Sequence, residues 1–170
     1  MEEILIVDGY NIIGDWPGLK ELKNNENLEE ARVKLLEYLA DYQAYSGRKL
    51  IVVFDAHQVP GKGKKLREHR IEVHYTSENE TADEHIERLV KELKSRRRQI
   101  YVATSDMTEQ WVVFAQGALR ISARELSIEV GKSQEKISEK VKKTTDSPKI
   151  TVRDTLEARI EEIFEKWRRE

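Results

Sequence analysis

One pattern recurs along this chain: a short, apolar run that stops at a turn carrying an aspartate. Ile4-Leu5-Ile6-Val7 stops at Asp8-Gly9, Leu50-Ile51-Val52-Val53-Phe54 stops at Asp55, and Ile100-Tyr101-Val102-Ala103 stops at Thr104-Ser105-Asp106. Runs of this kind, apolar at every position, are strands buried on both faces of a parallel sheet. Residues 71–75 alternate and read as another strand, and 118–121 as a fifth, short one. Between them lie helical patterns. Asn27 with Glu30, Thr81 with Glu84 and Ser122 with Glu125 form capping-box pairs. Behind the first, Leu28, Ala31, Leu35, Leu39 and Tyr42 recur at helical spacing up to Gly47. Behind the second, Ala82, Ile86, Leu89, Val90 and Leu93 line one face. A further helix runs through Trp111, Val112 and Ala115 to Gly117. Strands alternating with helices imply right-handed crossovers. The expected fold is an α/β, three-layer α/β/α sandwich around a mainly parallel sheet of about five strands.

Other stretches are less regular. Gly14, Pro17, Gly18 and Asn24 make the segment after Asp8 read as a loop. From Gly131 to Lys149 the chain is lysine-rich and apolar-poor, with Ile137 and Val141 as its few anchors. Val152, Leu156, Ile160, Ile163, Phe164 and Trp167 then form an amphipathic helix. With 170 residues in all, residues 1–131 are expected to form one α/β domain. Residues 132–170 are expected to belong to the same globular unit, the last helix covering one face rather than joining two subunits.

Composition removes several classes. There is no cysteine, hence no disulfide framework and no thiolate zinc site. No apolar run nears the roughly 20 residues that span a bilayer, and the start lacks a basic n-region. A cytoplasmic protein without a membrane partner, monomeric by default, is therefore expected. The chain has no phosphate-binding G-x-x-x-x-G-K-[ST] loop, no dinucleotide G-x-G-x-x-G fingerprint and no G-x-S-x-G elbow.

In parallel sheets the working crevice lies beyond the C-terminal strand ends. Asp8 and Asp55 directly follow strands, and Asp106 comes three residues past another. Asp83 sits in the first turn of the helix after residues 71–75, with Glu80 just before that turn and Glu87 one turn beyond. Each has a plain structural reading: a turn cap, a macrodipole partner or a surface pair. Together they crowd negative charge on one edge, which a bound cation relieves. Oxygen donors without cysteine favour Mg2+ or Mn2+ over zinc. Such ions activate water and hold phosphodiesters in line. Asn11 suits the orientation of a phosphate, or an Asx turn. Thr104 and Ser105 suit ligand support or helix capping.

Although Lys and Arg total 30 against 32 Asp and Glu, the basic residues are clustered. Lys62, Lys64, Lys65, Arg67 and Arg70 surround one glycine-containing segment after Asp55, flanked by His57 and His69. A flexible basic loop there would suit a phosphate backbone. Lys91, Lys94 and residues 96–98 form a second cluster, at a helix end on the far edge. Tyr10 and Trp16 suit base stacking or packing.

Ile6-Val7-Asp8-Gly9-Tyr10-Asn11, Val53-Phe54-Asp55-Ala56, Thr81-Ala82-Asp83, Thr104-Ser105-Asp106 and Ser122-Ala123-Arg124-Glu125-Leu126 together resemble the NYN domain family, in its bacterial YacP-like branch. The resemblance implies a PIN-like fold and a metal-dependent endoribonuclease that cleaves messenger RNA in association with the translating ribosome. It carries Asp8, Asp83 and Asp106 over as metal ligands, with Asn11 beside them as a catalytic polar group. Asp55, Glu80 and Ser105 are auxiliary candidates. The alternatives are a non-catalytic RNA- or ribosome-binding module and a PIN-like DNA flap or end nuclease.

Overall fold

The computed structural model describes residues 1–55, 64–68, 70–144 and 152–169. Strand β1 (Glu2–Asp8) is the centre of a sheet that also contains β2 (Lys49–Phe54), β3 (Lys64–Glu68), β4 (Ile71–Tyr75), β5 (Arg98–Ala103) and β6 (Leu119–Ile121), in the order β3-β4-β2-β1-β5-β6. Five of these six strands are mutually parallel, and β3 pairs antiparallel to β4 at one edge. The expected α/β sandwich is what the chain forms.

Sheet pleating divides the core in two. Leu5, Val7, Leu50, Val52, Phe54 and Val73 face one way. They pack against α1 (Gly9–Asp15), α2 (Pro17–Asn24), α3 (Leu28–Ser46), α6 (Ala123–Thr144) and α7 (Val152–Arg169). Ile4, Ile6, Ile51, Val53, Ile100 and Val102 face the other way, under α4 (Ala82–Leu93) and α5 (Met107–Ala115). Thr81 caps α4 by accepting from the Glu84 N–H, as its capping box anticipates.

The structure departs from the sequence reading in three places. The segment after Asp8 is two short helices rather than a loop. Pro17 stands at the start of α2, where its missing N–H is harmless. Trp16 and Leu19 are buried, and Trp16 Nε1 donates to the Ala123 carbonyl at 2.9 Å. The weakly patterned stretch beyond Gly131 continues α6, whose Leu126, Val130 and Ser133 are buried. The basic segment becomes β3 over its second half, with Arg70 beyond it in a left-handed conformation at φ 67°. Lys62, His57 and His69 lie outside the described residues.

The C-terminal helix covers the α1–α2 side. Phe164 packs against Trp16 and Tyr38, and Trp167 Nε1 donates to the Asp15 carbonyl at 2.8 Å. Gly18 lets this happen: a Cβ there would stand 2.7 Å from Ile163.

Candidate metal centre

Asp8 is the last residue of β1, in register with Val53 of β2. It occupies the N-cap position of α1, yet its side chain makes no capping hydrogen bond. Gly9 permits the abrupt change from strand to helix. A Cβ at Gly9 would lie 2.3 Å from Phe54 Cε1, and that ring is itself held between Tyr10 and Tyr75, with centroids 5.0 and 5.6 Å away.

Two further carboxylates meet Asp8: Asp83, in the first turn of α4, and Glu109, in the first turn of α5. One ligand oxygen from each of the three residues lies within 4.8 Å of the other two. Asp8 and Glu109 are buried, and Asp83 is half-buried. Among the described residues, no Lys, Arg or His forms an ion pair with any of them.

Electrostatics follow from that crowding. Desolvation first, then the neighbouring charges of Asp83 and Asp106, push the Asp8 carboxyl up to about 6. Burial and the negative charge of Asp8 raise Glu109 further, well above the carboxylate range. Without a counter-charge, two like charges this close retain a proton. Glu109 Oε1 is buried and has no hydrogen-bond partner. An unpartnered acceptor inside an all-oxygen, anionic cluster fits a hard divalent cation such as Mg2+ or Mn2+.

Glu109 is the residue that sequence reasoning missed. It stands three positions after Asp106, the spacing of a capping box, and so reads as a cap. In fact Thr104 Oγ1 bonds the Asp106 N–H at 3.1 Å, and the Glu109 carboxylate turns inward. The available signal was Val113, buried one turn along the same face.

Asp106 caps α5. It is exposed, and its Oδ1 accepts from the Thr108 and Glu109 N–H groups at 2.9 and 3.4 Å. It is not one of the three clustered carboxylates, although its charge reaches Asp8. Asn11 Oδ1 accepts from both the N–H and the hydroxyl of Ser105 at 2.7 Å. This ties α1 to the turn after β5 and leaves Nδ2 as the donor that the amide can offer. Glu80 is engaged by Arg88 at 2.8 Å, and Asp55 also stands outside the cluster.

The α4 end is anchored through buried histidines. His74 Nδ1 of β4 lies 2.7 Å from His85 Nε2, and Arg88 lies 2.9 Å from His85 Nδ1. The expected basic loop is split by the fold. Lys64 pairs with Tyr75 at the carboxyl end of β4, and Lys65 with His74 beside it. Arg67 and Arg70 lie towards the opposite end, because β3 runs antiparallel. There the Arg70 carbonyl accepts from Gln43 of α3. Tyr10 and Trp16 are buried packing residues, so base stacking is not open to them.

The model of the YacP-like NYN domain matches residues 5–169. The chain belongs to the YacP-like NYN domain family, a branch of the PIN-like nucleases. The YacP-like chain is 54% identical over 167 residues to the uncharacterized protein YacP of Bacillus subtilis, covering 98% of this chain and 97% of that one. It is also similar to the crystal structure of Rae1 (YacP) from Bacillus subtilis, with a TM-score of 0.75 and 54% identity over 98% of this chain and 94% of that one. A tryptophan-to-leucine variant of Rae1 gives the same TM-score at 48% identity, over 96% of this chain and 99% of that one. No helix among the described residues is long and apolar enough to cross a membrane.

Proposed function

We propose that the YacP-like chain is a metal-dependent endoribonuclease that cuts messenger RNA on the translating ribosome. One observation carries this reading: three carboxylates from three separate elements converge in a partly buried cluster that forms no ion pair with a cation among the described residues. RNA as substrate and the ribosome as partner come from the family resemblance.

Asp8, Asp83 and Glu109 would hold Mg2+ or Mn2+. When bound, such a cation activates water and neutralises charge on a phosphodiester. The chain's own groups set the geometry. Thr104 orients Glu109 through a 3.0 Å bond to Oε2. Ser105 fixes Asn11, whose Nδ2 donates to a phosphate oxygen. Burial of Asp8 and Glu109 keeps bulk water from screening the site. Lys64 and Lys65, at the amino end of β3 and paired with the carboxyl end of β4, supply positive charge for the backbone. In-line attack leaves a 5′-phosphate and a 3′-hydroxyl.

The test is to map 5′-phosphate ends on translated RNA made by the wild type, Asp8→Asn and Glu109→Gln. Ends should vanish in both variants while circular dichroism stays native. Cleavage at the wild-type rate by both would refute the reading. RNA binding without any metal-dependent ends in the wild type would leave a binding module instead.

A further inference from the structure

Helix α5 has two working faces. Its buried side carries Glu109, Gln110 and Val113. On its other side, Met107, Trp111 and Phe114 follow at i, i+4 and i+7, and are 60, 60 and 52% exposed. Arg120, projecting from β6, lies over both rings, its guanidinium carbon 5.3 Å from the Trp111 centroid and 5.8 Å from that of Phe114. Lys94, at the end of α4, reaches the vicinity of Gly117 just below: a Cβ there would stand 3.0 Å from its Nζ. The only acid within α5 is Glu109, which is turned into the carboxylate cluster.

Two exposed rings bridged by a guanidinium and flanked by a lysine match the needs of an unpaired polynucleotide. Each base offers a flat π-face to a ring or a guanidinium, and each phosphate seeks a cation. From Met107 to Phe114 the stripe is about 10 Å long at the helical rise per residue, room for about two nucleotides. The stripe begins at Met107, directly after Asp106, and runs along α5 on the face opposite Glu109, so a strand would reach the carboxylates around the start of this helix.

We propose that Trp111, Phe114 and Arg120 form a stacking platform for unpaired bases of the RNA strand whose phosphate enters the carboxylate cluster. The proposal rests on the nuclease reading and assigns a surface to it.

The test is the binding of a fluorescein-labelled single-stranded RNA of about ten nucleotides, followed by anisotropy in EDTA so that no cleavage occurs. Trp111→Ala and Trp111→Leu should each weaken binding by about 5- to 100-fold, and Trp111→Phe should recover most of the loss. Arg120→Gln should weaken binding and lower the salt slope by about 1. If Trp111→Leu binds like the wild type while Trp111→Ala does not, the face needs apolar bulk, as a protein partner would, and the proposal falls. It falls as well if every variant binds like the wild type, or if the wild type does not bind. Cleavage by wild type and Asp8→Asn is scored separately with Mn2+. Active wild type with unaffected Trp111 variants therefore removes the platform alone, whereas metal-independent ends remove the nuclease reading.

Discussion

Thr104 Oγ1 donates to Glu109 Oε2 at 3.0 Å, in a place where both residues are buried. The same hydroxyl accepts the Asp106 N–H, and the Thr104 carbonyl accepts from Gln110 Nε2 at 2.7 Å. One threonine at the end of β5 thus sets both the start of α5 and the aim of its glutamate. Thr104→Val keeps the shape and deletes the hydroxyl. Mn2+ affinity, measured by calorimetry, should fall about 10- to 100-fold, as for other groups that orient metal ligands. Circular dichroism should remain native.

The carboxylates rank by position. Asp83→Asn should abolish Mn2+ binding, because it removes one charge from the cluster of three. Asp106→Asn should reduce binding only slightly. Asparagine caps helices about as well as aspartate, so the melting temperature should barely change. Equal losses of Mn2+ affinity in the two variants would return Asp106 to the ligand set.

Metal-free stability should decline with pH. Asp8 is raised to about 6 from 3.8 and Glu109 is raised above its ordinary 4.5, so the folded state holds protons that the unfolded chain has released. Their favourable contribution is complete below about pH 4 and is lost as pH climbs through 6 and beyond. In EDTA, scanning fluorimetry should give a lower melting temperature at pH 8 than at pH 5.5. Glu109→Gln should raise the melting temperature at pH 8, while Mn2+ should stabilise the wild type alone.

Gly9→Ala should be damaging out of proportion to one methyl group. The new Cβ would fall 2.3 Å from Phe54, whose ring is held between two tyrosines. Overpacking of this kind costs about 1–3 kcal/mol. Urea denaturation should show that loss, together with weaker Mn2+ binding as Asp8 shifts.

Trp16→Phe should separate stability from activity. It keeps the ring contacts with Tyr38 and Phe164 in kind but leaves the Ala123 carbonyl without its donor. A buried orphan acceptor costs about 1–3 kcal/mol. Denaturant midpoints should fall while cleavage per folded molecule stays constant.

The strands were legible because burial on both faces leaves no position free for a polar residue, as Ile4 to Val7 show. Asp8 and Asp83 followed from where those strands end. Glu109 did not, because at capping-box spacing its sequence context is that of a surface residue; in the fold its carboxylate turns inward, accepting from the Thr104 hydroxyl. Helices α1 and α2 were obscured by Gly14, Pro17 and Gly18, whose turn preference is overruled by burial of Ile12, Ile13, Trp16 and Leu19. Strand β3 was hidden for the opposite reason. Its lysines and arginine suit an edge strand, where charge discourages pairing with other chains, and they read as loop when the partner strand is unknown.

The three clustered acids are spread over much of the chain, Asp8 near its beginning and Glu109 well past its midpoint. A nascent polypeptide that has exposed Asp8 and Asp83 still lacks the third member. Until α5 has emerged and docked, the growing chain cannot complete the carboxylate cluster.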